Sequence, residues 1–322
     1  MLRPERLLVG PRAATVDDVD ALNQVFSEAF TDRYRRDGLV GVRVPRLHRD
    51  IWRYAISDAG PGAMLWCDDH DEVVAFNVAH RSGTEGWMGP LAVRTDRQGL
   101  GAGRVIVETA TAWLRERGVT TLGLETMPRT VENIGFYGRL GFVPGMLTVT
   151  MTGEASRRRV GGEFHRLGSL PADGRRALVG RCAKRLDRAA LGYDFSREIE
   201  LTAELGIGDT VVIDGDDDVA GFALWHSAPL AEGRRPEELR VLKLFADSDE
   251  AFVRLLVVLE ACAAGERVRR VAIRCQTAYS RAYRALLTRG YRVRWTDLRM
   301  TLDQFPEARP PAGVVVFSNW EI

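Results

Sequence analysis

The spacing of apolar residues near the start of the chain is typical of an amphipathic helix. From Val16 to Ala29 they recur every three or four positions, and Thr15 and Asp18 stand three residues apart as in a capping box. Strand-like and helical stretches then alternate. The pattern predicts a helix at 46–56, strands at 63–67 and 72–80 around a polar turn at 68–71, a strand at 87–93, a helix at 104–117, a strand at 121–125, a helix at 131–140 and a strand at 147–152.

The second half of the chain repeats this plan. Its predicted elements are a helix at 172–190, a hairpin of strands at 210–213 and 219–226, a strand at 239–244, a helix at 250–263, a strand at 268–275, a helix at 280–287 and late strands. Residues 153–162 are rich in Gly and Arg with few large apolar side chains, which favours a linker. We therefore predict an internal duplication with domains at 1–152 and 163–322 and an α/β (α+β) fold.

The composition excludes several classes of function. The 322 residues exceed the size at which one core usually keeps growing, which agrees with two domains. Lys and Arg number 45 and Asp and Glu 44, so a net charge of +1 gives no field that would attract nucleic acid or an anionic membrane. The four cysteines form no C-x-x-C pair, and the N-terminus lacks the unbroken apolar stretch of a signal peptide. We expect a cytoplasmic protein that binds small molecules, without a metal site or a membrane span.

One glycine-rich segment, 98–103, leaves a predicted strand and opens a predicted helix. Free N–H groups at a helix N-terminus favour an anion, and glycines let a phosphate approach the main chain. A triphosphate-binding loop would end in Gly-Lys-Ser/Thr, whereas Gly103 is followed by Arg104 and Val105. A dinucleotide-binding fingerprint would need a glycine at position 104. Both alternatives fail, and a Gln-x-x-Gly-x-Gly pattern is left.

This pattern resembles the pyrophosphate motif of the GNAT superfamily of acetyl-CoA-dependent N-acetyltransferases. Gln98, Gly101 and Gly103 occupy its positions, and with the segment 136–142 the resemblance spans roughly residues 10–152. It implies that each domain has a mixed, mostly antiparallel central sheet flanked by helices. It also implies an N-acetyltransferase that uses acetyl-CoA (coenzyme A), with direct attack by a primary amine in a ternary complex.

The resemblance carries a set of cofactor contacts over to this chain. In the family the strand before the loop splays from its neighbour, and its main chain binds the pantetheine and the thioester oxygen. The residues in the cofactor-binding positions are Leu91, Ala92, Val93, Gln98, Gly99, Leu100, Gly101, Ala102, Gly103, Arg104, Thr130, Asn133 and Tyr137. The family often has an asparagine seven residues before the tyrosine. Thr130 stands there instead, with Asn133 at a neighbouring helical turn, so one contact is lost or rerouted.

Two residues are the candidates for acid–base chemistry. Tyr137 stands where the family commonly has a tyrosine that protonates the coenzyme A thiolate, and a phenol with a pKa of about 10 is a suitable acid. The alternative is a core aromatic beside Phe136. Glu125, at the end of a strand, is the first candidate for the base that deprotonates the amine, and His80 is the second. Their alternatives are a solvent-facing carboxylate and a structural histidine.

The second half lacks the corresponding features. When the glycines that end the two motif helices are aligned, 245–250 lies opposite the glycine loop. It carries three carboxylates at a helix N-terminus, where they can cap N–H groups and repel a pyrophosphate. Leu286 stands opposite Tyr137. We therefore predict one acetyl-CoA per chain and a degenerate second domain kept for packing, for a homodimer or for shaping the acceptor cleft, with the tail 314–322 as its closing strand.

The expected acceptor is a small-molecule amine, because a second domain can cover part of the cleft. The tryptophans of the first half are interpreted as core or pocket wall rather than as specific ligands. A rival hypothesis from another class of function is a non-catalytic acyl-CoA-binding sensor or scaffold.

Overall fold

The computed structural model describes residues 8–158, 160–216, 218–308 and 312–320. The first half alternates helices and strands, as the apolar periodicity predicts. Its elements are β1 (Val9–Ala13), α1 (Val19–Arg36), α2 (Arg49–Ala59), β2 (Ala63–Cys67), β3 (Val73–Ser82), β4 (Glu85–Val93), α3 (Ala102–Glu116), β5 (Thr121–Thr126), α4 (Val131–Arg139) and β6 (Phe142–Glu154).

The second half follows the same order of elements. They are β7 (Phe164–Arg166), α5 (Ala172–Ala189), α6 (Ser196–Leu205), β8 (Gly208–Asp214), β9 (Val219–His226), β10 (Glu238–Ala246), α7 (Asp249–Gly265), β11 (Arg270–Gln276), α8 (Ser280–Thr288), β12 (Arg292–Leu302) and β13 (Val315–Ser318). The predicted duplication of an α/β unit is therefore visible in the structure. Within the described residues no helix is both long enough and apolar enough to cross a bilayer.

The strands of the two halves form one mixed sheet. Among the described residues its order is β1-β2-β3-β4-β5-β12-β6-β11-β10-β9-β8-β7, with β13 beside β10. The last strand of the first half, β6, lies between β12 and β11 and pairs antiparallel with both. In turn β12 pairs antiparallel with β5. Each half therefore places one strand inside the sheet of the other.

Helices cover both faces of this sheet and bury its apolar side chains. In the first half α1 and α2 pack on one face, where Trp52 and Phe76 are almost fully buried. On the other face α3 buries Leu114 beneath it. In the second half α7 buries Leu255 on one face and α5 buries Leu186 on the other. Each such side chain contributes about 1.5–3 kcal/mol of hydrophobic stabilisation, which holds the central strands rigid.

Parallel strands separate at the same place in each half. β4 pairs with β5 only from Glu85 to Met88, and β10 pairs with β11 only from Glu238 to Val241. In the second half the tail strand β13 enters the gap and pairs antiparallel with the end of β10. Of the closing strand expected at 314–322, Val315–Ser318 form a strand, and residues 321–322 lie outside the described residues. No described strand enters the gap between β4 and β5.

Some elements differ from the sequence prediction. β1, β7 and α6 were not predicted; all five residues of β1 are exposed, so it lacks the alternation that marks a half-buried strand. β6 begins at Phe142 rather than at 147. Pro144 and Gly145 argue against a strand there, yet Pro144 lies opposite Met300 of β12 at a register shift, where a missing donor is tolerated.

Candidate active site

The glycine loop has the geometry of a main-chain anion site. Gly99 and Gly101 have φ values of +76° and +90°, in the left-handed region that favours glycine, and Gly101 is the N-cap of α3. An added Cβ at either position would meet no atom within 4 Å, so the space in front of the loop is open. Gln98 ties the loop to β4, because its Nε2 donates to the carbonyl oxygen of Val93 at 2.9 Å.

The strand before the loop has main chain available on one side. Leu91 and Val93 pair with β3, but β4 has no ladder partner on the β5 side after Met88. A first cavity of about 180 Å³ begins there. Its lining combines the end of β4, the first residue of the loop, and one side each of α1 and α4. The residues are Leu91, Ala92, Val93, Gln98, Asn133, Phe136 and Tyr137, with Ala29, Phe30, Asp32, Arg33 and Arg36 of α1. The splayed strand that the resemblance implied is therefore present.

Three of the expected cofactor residues have other positions or partners. The hydroxyl of Thr130 is buried and donates to Asp37 Oδ2 at 2.6 Å. Arg104 forms an ion pair with Glu108 at 2.7 Å, and the side chain of Leu100 is exposed. Their contacts with a cofactor stay predictions.

Tyr137 lies where the first cavity meets a second one of about 170 Å³. Its side chain is buried and packs edge-on against Phe142, so it belongs to the core and to the cavity wall at once. Burial raises the pKa of Tyr137 to about 12. The phenol is therefore protonated at neutral pH, which an acid requires, although its role as the acid stays a prediction. Its neighbour Phe136 packs near Gly103.

A third cavity of about 450 Å³ is formed by both halves. Its wall is largely aromatic, from α1, β4, β12 and the tail: Phe26, Phe30, Tyr34, Trp87, Trp295 and Trp320. Glu125 and Asp297 supply carboxylates to the same cavity, and His80 and Arg274 also line it. It is called the acceptor cavity below.

Glu125 is held among cationic groups at the centre of the sheet. It accepts a hydrogen bond from Thr148 at 2.6 Å and forms ion pairs with Arg274 and with Arg299, the latter at 3.7 Å. Burial acts to raise the pKa of Glu125, but the two guanidinium groups outweigh it and the pKa is lowered. Glu125 is therefore neither the solvent-facing carboxylate of the alternative interpretation nor an unpaired carboxylate. Its role as the base stays a prediction.

Sequence reasoning missed the contribution of β12 and the tail. Asp297 forms an ion pair with Arg274 at 3.1 Å, and burial raises its pKa to about 6 although the arginine opposes this. Trp295 and Trp320 were not predicted site residues either. No local pattern marks them, because they reach the cavity only through the interleaving of distant strands.

The glycine loop, the separated strands and the tyrosine together match a known family. Residues 21–142 match the sequence model described as the acetyltransferase (GNAT) family. This part of the chain is similar to the GNAT family over those residues. A curated relative, serotonin N-acetyltransferase 2, chloroplastic, of Oryza sativa subsp. japonica, is 32% identical over 137 residues. The matched residues make up 41% of this chain and 59% of the length of the rice protein.

Solved structures share the fold over almost the whole chain. A protein from Pyrococcus horikoshii has a TM-score of 0.69 at 18% identity, covering 99% of this chain and 96% of its own. A tandem GNAT protein from the clavulanic acid biosynthesis pathway has a TM-score of 0.60 at 13% identity, covering 94% of this chain and 99% of its own. The tandem arrangement of two GNAT-like units is therefore an observed architecture.

The second GNAT-like unit differs from the first at the helix N-terminus, at the position of the tyrosine and in the gap between the parallel strands. α7 is capped by Ser248, whose side chain accepts from the N–H of Ala251, so the expected capping by carboxylates is wrong. Asp247 and Asp249 instead pair with arginines, at 3.0 and 3.1 Å. Leu286, opposite Tyr137, is fully buried. Because the tail strand also fills the gap after β10, this unit lacks the open features of the first.

Proposed function

We propose that this chain transfers an acetyl group from acetyl-CoA to a small primary amine by direct attack in a ternary complex. The observation that carries the proposal is the continuity of the three cavities. Leu91, Asn133 and Tyr137 line both the first and the second, and Glu125 and Asp297 line both the second and the third. A donor held at the glycine loop and an acceptor amine can therefore meet inside the protein.

The donor end fits an acyl-coenzyme A. The loop presents left-handed glycines at the N-terminus of α3, where free N–H groups and the helix dipole favour a pyrophosphate. The main chain at 91–93 has no partner on the β5 side, so its groups there can hydrogen-bond an amide chain and the thioester oxygen. When bound, acetyl-CoA supplies a thioester carbonyl that an amine can attack.

Tyr137 is the proposed general acid. It lies between the donor and acceptor cavities, and its raised pKa keeps the phenolic proton in place at neutral pH. As the C–S bond of the thioester breaks, the phenol donates to the departing sulfur, and the tyrosinate regains a proton from the attacking nitrogen.

The proposed acceptor is an amine that carries an aromatic ring. The aromatic wall of the acceptor cavity packs against flat apolar groups, and its aromatic faces attract an ammonium. The name of the rice relative gives serotonin, a primary amine that carries an aromatic ring, as the acceptor of that protein. A cavity of about 450 Å³ has room for a molecule of this size.

Thiol release from acetyl-CoA against a panel of amines tests the proposal. We expect turnover with tryptamine and 2-phenylethylamine to exceed that with spermidine and with a peptide N-terminus by at least about tenfold in kcat/KM, which corresponds to ~1.4 kcal/mol of selective binding. Acetyl-CoA binding is measured by calorimetry in parallel. Tight binding without turnover on any amine would favour the non-catalytic sensor or scaffold instead.

A further inference from the structure

A buried histidine–carboxylate pair lies at the wall of the acceptor cavity. His80 Nδ1 is 2.7 Å from Asp58 Oδ2, and the two side chains are 2% and 0% exposed. His80 is on β3 and Asp58 is on α2, so the pair joins the sheet to a helix that covers it. Since a carboxylate oxygen accepts, the hydrogen of a neutral ring lies on Nδ1 and Nε2 keeps its lone pair.

The second ring nitrogen of His80 has no partner. Nε2 is buried and makes no hydrogen bond to any residue of the described chain. The ring lines the acceptor cavity, stacks on Trp320 at 5.8 Å and stands opposite Trp87 in the strand register. Buried polar atoms without a partner are rare and destabilising, which points to a ligand that supplies a hydrogen here.

Glu125, the other candidate base, has its oxygens in use. Thr148 and two arginines hold it in the charged form, and its pKa is lowered in consequence. A carboxylate stabilised in this way has little tendency to take a proton from an amine. A neutral imidazole with one free nitrogen is much better suited to that task.

We infer that His80 is the general base of the proposed acyl transfer and that Asp58 is its positioning residue; this inference rests on the proposed function. An N–H bond of the acceptor's ammonium breaks, and its proton forms a bond to Nε2. The electron pair stays on the amine nitrogen, which attacks the thioester carbonyl and forms the C–N bond. When the intermediate collapses the C–S bond breaks, the sulfur takes a proton from Tyr137, and the tyrosinate takes the second proton that the nitrogen loses. Asp58 faces the imidazolium that forms and stabilises its charge. The proton passes to solvent after the product leaves.

Other charged groups surround the pair from every side. Those near the ring or its carboxylate partner are Glu125, Arg274 and Asp297, which line the same cavity, Lys243, which contacts Trp320, Glu198, whose pKa Asp58 helps to raise, and Arg197, whose guanidinium is 3.8 Å from Asp58 Oδ1. Asp297 is the competing base, because burial raises its pKa towards neutrality. The experiment therefore has to separate His80 from Asp297 and from Glu125.

The test compares His80→Asn with the wild type in the full chain. The asparagine keeps a donor toward Asp58 but has no acceptor at the position of Nε2. With the best amine of the panel we expect kcat/KM to fall about 100- to 1000-fold at pH 7, the range of general-base contributions. In the variant kcat/KM should rise about tenfold per pH unit toward the amine's own pKa, whereas the wild type levels off earlier. Acetyl-CoA affinity should stay within about twofold.

One control variant and two further test variants complete the experiment. His165→Asn alters a half-exposed histidine paired to Asp214 at 2.9 Å on β7, at the far edge of the sheet, and should behave as the wild type. Asp58→Asn should lower kcat/KM roughly tenfold and shift the pH profile, because it misorients the ring. Asp297→Asn should leave the shape of the profile unchanged.

Each outcome decides between the two hypotheses. A wild type inactive on every amine overturns the proposed function and this inference together. If the wild type is active and His80→Asn is equally active, the inference alone is overturned. The inference is also overturned if the steep rise of kcat/KM with pH appears in Asp297→Asn or Glu125→Gln. If His80→Asn does not bind acetyl-CoA, ¹⁵N NMR of histidine-labelled wild type replaces it. A proton on Nε2 of His80 in the free enzyme then contradicts the assignment.

Discussion

The ammonium of Lys243 lies 3.8 Å from the centre of the Trp320 ring. Lys243 is fully buried and also donates to Ser82 and Ser318, at 3.0 and 3.1 Å. The contact therefore joins β10 of the second half, β3 of the first half and the tail. Since Trp320 lines the acceptor cavity, a buried charge of the second half fixes one wall of the first half's site.

Trp320→Ala should weaken acceptor binding without affecting the donor. Removing the indole opens the acceptor cavity beside His80, so we expect the KM of the aromatic amine to rise about tenfold or more while acetyl-CoA affinity is unchanged. The KM of Trp320→Phe for the same amine should lie between those of the wild type and Trp320→Ala. Trp113→Phe, on α3 and outside that cavity, is the control. An equal loss for donor and acceptor would contradict the role of Trp320 as a cavity wall.

Glu198 should make stability depend on pH. Burial raises its pKa to about 7, although Lys243 opposes this. Because a carboxyl of the unfolded chain titrates at about 4.3, the contribution of Glu198 is full below that pH and is lost as pH rises through the folded value. We therefore expect calorimetry from pH 5 to pH 8 to show the wild-type Tm falling relative to Glu198→Gln. Glu200→Gln, at an exposed position of the same helix, should show the same pH dependence of Tm as the wild type. A wild-type Tm that rises with pH relative to that of Glu198→Gln would contradict the prediction.

Gly101→Val should abolish acetyl-CoA binding in a folded protein. Its φ of +90° is costly for a β-branched residue, and the new side chain would stand in the open space before the loop. Gly233→Val is a matched control, since Gly233 has a φ of +67° and similarly open surroundings outside the site. Calorimetric titration of both variants decides the matter. Unchanged affinity in Gly101→Val would remove the phosphate assignment.

Tyr137→Phe should keep the packing of the ring and remove the proton. We expect kcat to fall roughly 10- to 1000-fold with little change in acetyl-CoA affinity, in line with general-acid contributions. Tyr291→Phe, which alters a buried tyrosine of the second half, is the control and should keep full activity. Full activity in Tyr137→Phe would leave that residue with a packing role only.

Titration should give one acetyl-CoA per chain. In the second unit Ser248 caps the helix that follows the loop, and the tail strand occupies the gap after β10. The cap takes up one N–H group of that helix, and the tail strand covers the strand edge that is open in the first unit. Two equivalent sites by calorimetry would show that the tail can be displaced.

The sequence predicted local structure much better than it predicted pairing. Apolar periodicity identifies the buried face of α3, and the glycine loop can be recognised from its spacing together with its resemblance to a family motif. Nothing in the alternation of β6 identifies β11 and β12 as its neighbours, because period-two patterns fit any partner strand. The candidate site divides in the same way: Tyr137 and Gln98 follow from a local motif, whereas Asp297 reaches the cavity only through that pairing.

The exchange of strands between the halves determines how the tandem can be divided. A cut at the boundary between them would leave β6 with both of its edges bare, since β11 and β12 would depart with the other piece. Bare edges of this length invite aggregation. The two units therefore depend on each other for completion of their sheet. We expect that neither unit can be lost, transplanted or unfolded alone without disrupting the other.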